Sequence, residues 1–128
     1  MFSLSKRKNF ISRLRKRLLG FPHTTRAERV KYRQALLTQS KPGDLLQVVH
    51  VNGVAYIYSI ELNSVLGEIE KPLCKKLVKI FGKGFCLDAK LLSVTGGPPY
   101  SYYGIRLEIY DTKTFLSAIE NFDFLKEQ

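Results

Sequence analysis

Leu45-Leu46-Gln47-Val48-Val49-His50-Val51-Asn52-Gly53-Val54-Ala55-Tyr56-Ile57-Tyr58-Ser59-Ile60 is the stretch that decides the fold class. Two runs rich in β-branched and aromatic residues flank an Asn-Gly pair. A type I′ turn needs φ > 0 at both central positions, and Asn-Gly supplies it, so the stretch predicts an antiparallel hairpin of Leu45–Val51 and Val54–Ile60. Moving outward, Val65–Ile69 reads as a short third strand. Lys71-Pro72 opens a helix, with Pro at a tolerated first-turn position. In that helix Leu73, Leu77, Ile80 and Phe81 share one face, Lys75, Lys76 and Lys79 the other, and Gly82 stops it. Phe85–Val94 is a fourth strand, and Thr95-Gly96-Gly97-Pro98-Pro99 is a loop. Tyr103–Tyr110 is a fifth strand, whose alternation puts Ile105, Leu107 and Ile109 inward and Arg106, Glu108 and Tyr110 outward. Phe115, Ile119 and Phe122 predict a closing helix after Thr112 or Thr114.

Upstream of the hairpin the character changes. Asn9 can cap and Gly20 can end a helix over Phe10–Leu19, whose apolar stripe is Phe10, Ile11, Leu14 and Leu18. Thr25 and Glu28 have capping-box spacing and predict a second helix over Arg26–Thr38. Ser40-Lys41-Pro42-Gly43-Asp44 reads as a turn or linker. The expected organisation is a basic helical arm over residues 1–40 and a neutral domain over 41–128. The expected fold is α+β: a small, partly open β-barrel with one crossing helix, preceded by two N-terminal helices and followed by a C-terminal one.

Charge follows the same division. The 128 residues carry a formal +10, and all of it lies in residues 1–33, which hold eleven Lys/Arg and one acid. Residues 34–128 hold ten basic and ten acidic residues. A cationic arm on a neutral domain points to a polyanionic partner, either nucleic acid or an anionic membrane surface. The apolar stripe of the first helix adds a third possibility: docking on a protein partner or a second copy through Phe10, Leu14 and Leu18.

Several classes find no support in the sequence. No apolar run approaches the ~18 residues of a membrane span, and charges interrupt any secretory h-region. Cys74 and Cys86 lie twelve apart without a CxxC or paired histidines, so no metal site is expected and both read as buried free thiols of a cytoplasmic protein. His23 and His50 have no nucleophile or carboxylate partner in sequence, and the glycine clusters at 82–84 and 96–97 lack the spacing of a phosphate loop or a dinucleotide fingerprint. No enzyme activity and no cofactor are therefore expected.

The aromatic residues carry more. Tyr56 and Tyr58 are two apart on one strand and so share a face. Tyr100, Tyr102 and Tyr103 crowd the loop before the last strand, from which Arg106 projects. Rings beside Arg or Lys are what single-strand binders use, each stacked base contributing about 1–3 kcal/mol. The other reading of Tyr56 and Tyr58 is a half-buried strand, where aromatics are favoured anyway.

Gly53-Val54-Ala55-Tyr56-Ile57-Tyr58, Leu66-Gly67-Glu68-Ile69, the Lys71–Phe81 helix ending in Gly82-Lys83-Gly84, Ala89–Val94, Gly96-Gly97 and Tyr103–Ile109 together resemble the core of a HIRAN domain. The resemblance spans roughly residues 45–110. The family's acidic-Asn-Pro-Tyr-Asp-like segment has no counterpart, since the chain passes straight through Val51-Asn52-Gly53. The resemblance implies a compact six-stranded barrel of the OB- or SH3-like kind. Such domains accompany helicases and nucleases or stand alone, and bind single-stranded DNA, including its free 3′ end, by stacking bases beside a basic pocket. It makes Tyr56, Tyr58, Tyr102, Tyr103 and Arg106 the candidate stacking surface. The charge pattern makes Lys6, Arg7, Lys8, Arg13, Arg15, Lys16, Arg17, Arg26 and Arg29 the candidate phosphate contacts. Binding of single-stranded DNA is the expected function, with a protein-interaction or oligomerisation module as the alternative.

Overall fold

The computed structural model describes residues 19–113. In chain order these form strand β1 (His23–Arg26), a 3-10 turn (Lys31–Arg33), helix α1 (Gln34–Gln39), β2 (Leu45–Val51), β3 (Val54–Ser59), β4 (Ser64–Glu68), helix α2 (Lys71–Phe81), β5 (Cys86–Gly96) and β6 (Tyr103–Lys113). The strands make one sheet in the order β1-β6-β5-β2-β3-β4, with every neighbouring pair antiparallel.

The hairpin forms as its turn chemistry dictates. Asn52 and Gly53 both take positive φ, 50° and 80°, and Val51 pairs with Val54 across the turn. Pro72 sits in the first turn of α2, and Gly82, at φ 89°, ends the helix while its N–H donates to the Val78 carbonyl. Leu73, Cys74, Leu77 and Ile80 are the buried face of α2, and its four lysines are exposed. The main core collects Leu46, Val48, Ala55, Ile57, Leu66, Leu77, Leu87, Leu91 and the inward triplet Ile105, Leu107 and Ile109. Burying each of the Val, Leu and Ile side chains among them contributes about 1.5–3 kcal/mol.

The sheet is not closed by a continuous ladder. Its two edges meet at one point, where Glu28, just past β1, bridges Glu68 of β4. Each residue's N–H donates to the other's carbonyl at 2.8 Å. Gly67 makes this approach possible: a Cβ there would lie 2.7 Å from the Glu28 carbonyl oxygen and 3.1–3.2 Å from Val30 and Ala27.

The helix expected over Arg26–Thr38 is replaced by strand, bridge and a shorter helix. Thr24 and Thr25 lie in β1, opposite Glu108 and Leu107 of β6, and β-branched residues suit that place. Glu28 is held by the bridge and Arg29 has φ 57°, a conformation incompatible with a continuing helix. The capping box therefore never forms. Helical structure starts only at the 3-10 turn, and Leu37 of α1 is fully buried in the main core. Residues 21–39 thus contribute to the same core as the sheet, with Phe21, Ala27, Val30 and Leu36 packed against it. Of the helix expected over Phe10–Leu19, all but the last residue lies outside the described residues. Leu19 packs on the core, and Gly20 has φ 74°. The closing helix after Thr112 or Thr114 also falls outside, since β6 continues to Lys113.

A second, smaller cluster occupies the opposite face of the sheet. Val49, Tyr58, Val65 and Cys86 are buried there, with Val51 and Tyr56 packed against them. Gln47 of β2 lies between Tyr58 and Asp88 in register, and is fully buried with no hydrogen-bond partner for either amide atom among the described residues. Cys74 and Cys86 are both buried and outside any disulfide, one in each cluster.

Candidate nucleic-acid interface

Among the described residues the most exposed rings lie where β1 leads into the 3-10 turn and where the loop after β5 leads into β6. Tyr32, Tyr100 and Tyr102 are 91%, 73% and 49% exposed. The Lys31 ammonium lies 5.7 Å from the Tyr32 ring centroid and 5.9 Å from that of Tyr102. One cation thus stands within cation–π range of two solvent-facing rings.

A single side chain ties these two segments together. The Gln34 amide nitrogen donates to the Val30 and Tyr103 carbonyls, both at 3.0 Å, and its oxygen accepts the Tyr103 N–H at 2.7 Å. Gln34 therefore pairs with Tyr103 as another strand would. The loop itself turns tightly, the Tyr100 N–H donating to the Gly97 carbonyl, and the Pro98–Pro99 peptide is cis. Gly97 is buried beneath the Tyr103 ring, which a Cβ there would strike. The 3-10 turn is anchored separately, where Arg33 donates to the Val65 carbonyl at 3.1 Å.

Close by, Arg26 of β1 lies directly opposite Arg106 of β6, and both side chains are exposed. Cβ atoms of directly opposed residues are about 4.5–5.5 Å apart, and like charges so placed are destabilising. An anion between them relieves that repulsion. Arg106 is three residues along β6 from Tyr103, about 10 Å at strand rise.

Of the residues singled out from sequence, the structure brings Arg26, Arg106 and Tyr102 to this end of the sheet. Arg29 is exposed between the bridge and the 3-10 turn. Tyr103 is half-buried against the main core and positions the loop. Tyr56 and Tyr58 do share a face, but it is the one carrying the second cluster, where Tyr58 is 3% exposed and Tyr56 half-buried. Tyr58 therefore does not present its ring to solvent, because Val49, Val65 and Cys86 pack around it. Lys6, Arg7, Lys8, Arg13, Arg15, Lys16 and Arg17 lie outside the described residues, as do Phe10, Leu14 and Leu18.

Lys31, Tyr32 and Tyr100 are the members that sequence reasoning left out of the site. The signal was present as Lys31-Tyr32-Arg33, an aromatic flanked by two cations. Assigning it to the middle of a helix hid it.

Neither histidine joins the interface. His50 stacks on Phe85 at 5.4 Å and its Nδ1 accepts the Gly84 N–H at 2.9 Å. Burial, and then the Lys83 charge, push its pKa below the usual 6.5. His23 stands in β1 opposite Ile109. Among the described residues no group of three His, Cys, Asp or Glu side chains could hold a metal ion, and no helix is long and apolar enough to cross a membrane.

No family model, no curated protein and no solved structure matches this chain.

Proposed function

We propose that this protein binds single-stranded DNA, stacking bases on Tyr32, Tyr102 and Tyr100 around Lys31 and drawing the backbone across Arg26, Arg106 and the basic residues of the first quarter. The placement of Lys31 between two exposed rings carries the reading. Aromatic faces beside a cation serve bases and phosphates at once, and they serve every base alike, because every base has a π-face. The Arg26–Arg106 pair supports it with a local excess of positive charge that a phosphate neutralises. The resemblance of residues 45–110 to HIRAN domains points to the same ligand and to an OB- or SH3-like barrel.

Fluorescence anisotropy of the full chain with labelled single- and double-stranded oligonucleotides tests the proposal. Tyr32→Ala and Tyr102→Ala should each weaken single-strand binding about 5- to 150-fold, the range of one lost stack, and affect duplex less. Arg26→Ala and Arg106→Ala should weaken both ligands and flatten the salt dependence, whose slope on single strands is about −0.7 per neutralised phosphate. No binding at low salt, or binding indifferent to all four substitutions, overturns the assignment.

A further inference from the structure

We infer that the lysine face of α2 is a second nucleic-acid contact, one that takes the phosphate backbone of a duplex and uses no ring. Lys71, Lys75, Lys76 and Lys79 of the helix and Lys83 just past it are all exposed, and no acidic residue occurs from 71 to 87. These five are half of the ten basic residues in 34–128, which leaves five against ten acids in the remainder of that stretch. Positive charge is thus gathered on one helix of a domain that is otherwise acidic. Helix stability does not account for it. Lys71 and Lys75, and Lys75 and Lys79, are four apart, and Lys76 and Lys79 are three apart; like charges so placed destabilise a helix. Lys71 stands in the first turn, which holds no acid, and there the helix dipole disfavours a cation. A bound polyanion relieves both strains on the helix.

The chemistry of the face selects the occupant. Its exposed helical residues are Lys71, Pro72, Lys75, Lys76 and Lys79 alone. Protein partners are held by aromatic, Met and Arg anchors, and lysine is depleted from such interfaces. Lying in a membrane surface takes an apolar face, and that of α2, Leu73, Cys74, Leu77 and Ile80, is buried in the protein. A lysine ammonium binds phosphate as a point charge. Four residues of helix rise about 6 Å, so Lys71, Lys75 and Lys79 form a row, which suits a linear polyanion. With no exposed ring on this face, charge alone decides between ligands. A duplex presents one charge per about 1.7 Å of its axis, against about 3.4 Å for one strand. The row is also distinct from the ring site. Along the path from Lys31 to Lys71, Glu28 bridges Glu68 and Glu70 directly precedes the helix, so three acidic residues intervene. The inference therefore stands whether or not the rings stack bases.

The test measures anisotropy of the full chain with a labelled mixed-sequence duplex across a salt series. Lys75→Gln with Lys76→Gln should weaken duplex binding about tenfold or more at about 0.1 M salt and lower the salt slope by about 1.8, at about 0.9 per lost phosphate. Lys41→Gln with Lys90→Gln removes the same charge from exposed lysines elsewhere and should do neither. Lys75→Arg with Lys76→Arg should keep duplex binding. The inference is overturned if the two Gln pairs behave alike, or if poly-glutamate or anionic vesicles compete with duplex at equal charge and lose as much to the α2 pair. Acetylation of lysines in the unsubstituted chain, read by mass spectrometry, gives a measurement that no folding defect can disturb: duplex should protect Lys75 and Lys76 and leave Lys41 and Lys90 reactive. Equal reactivity with and without duplex overturns the inference. Tyr32→Ala reports on the ring site in the same assays, so failure of one site is read apart from failure of the other.

Discussion

Gly67→Ala tests how the sheet's two edges are joined. The added methyl would sit 2.7 Å from the Glu28 carbonyl oxygen, and that oxygen is part of the backbone, so no rotamer change relieves the clash. Two responses remain. If the edges separate, the two reciprocal hydrogen bonds between Glu28 and Glu68 are lost, at about 0.5–1.5 kcal/mol each. If they hold, the contact is overpacked, which costs about 1–3 kcal/mol. Either route removes about 1–3 kcal/mol from a total of order 5–15. With a urea m-value of about 1.5 kcal/mol/M, the unfolding midpoint falls by about 0.7–2 M. Amide hydrogen exchange separates the two routes: fast Glu28 and Glu68 amides mean an opened edge, and slow ones mean a strained edge. Val30→Ala removes the second-nearest obstacle at 3.1 Å but leaves the carbonyl, so the double variant should recover little. A midpoint within about 0.3 M of the parent, with both amides still protected, would refute the reasoning.

His50 predicts a pH dependence. Its pKa is lowered in the folded state, so the unfolded chain binds the proton more readily, and this contribution to stability is complete above about pH 6.5 and is lost as pH falls below it. Protonating Nδ1 also removes the acceptor for the Gly84 N–H. Urea midpoints at pH 7.5 and 5.0 should differ, and His50→Asn, which keeps an acceptor but does not titrate, should narrow the gap. Gln47→Met removes two buried polar atoms that have no hydrogen-bond partner among the described residues and should stabilise the protein by about 1–3 kcal/mol in a thermal melt; a loss of stability would mean that the amide is satisfied in solution. Gln34→Ala should speed exchange of the Tyr103 amide and weaken single-strand binding even though Gln34 itself touches no ligand; unchanged exchange would show that the loop is held by other contacts.

Much of the sheet was legible because its signals are local. Asn52-Gly53 specifies its own turn, and the alternation from Ile105 to Ile109 specifies its own inward face. Pro72 and Gly82 bound α2. β1 was illegible for the opposite reason: its four residues gain their partner only on β6, some eighty residues away, and nothing nearby contradicts the capping-box spacing of Thr25 and Glu28. Tertiary pairing overrode a sound local preference. The tyrosines divide in the same way. Period two showed correctly that Tyr56 and Tyr58 share a face, but alternation cannot say which face the main core takes, nor whether the other is covered. Tyr102 was recognisable from its crowded loop. Lys31 meets it from some seventy residues away in sequence, where Gln34 ties α1 to the start of β6.

That tie also bears on how relatives could be found. The Gln34 amide uses both N–H groups and its oxygen, to Val30 and to both backbone groups of Tyr103. Glutamate lacks the donors, lysine lacks the acceptor, and asparagine is one methylene shorter. The position therefore tolerates few replacements while the loop keeps its shape, even where the surrounding sequence drifts beyond recognition. A glutamine placed about seventy residues ahead of an aromatic strand start, with a Gly-Gly-Pro-Pro loop just before that strand, is a sparse pattern. It offers a way to identify distant versions of this chain whose overall similarity has vanished.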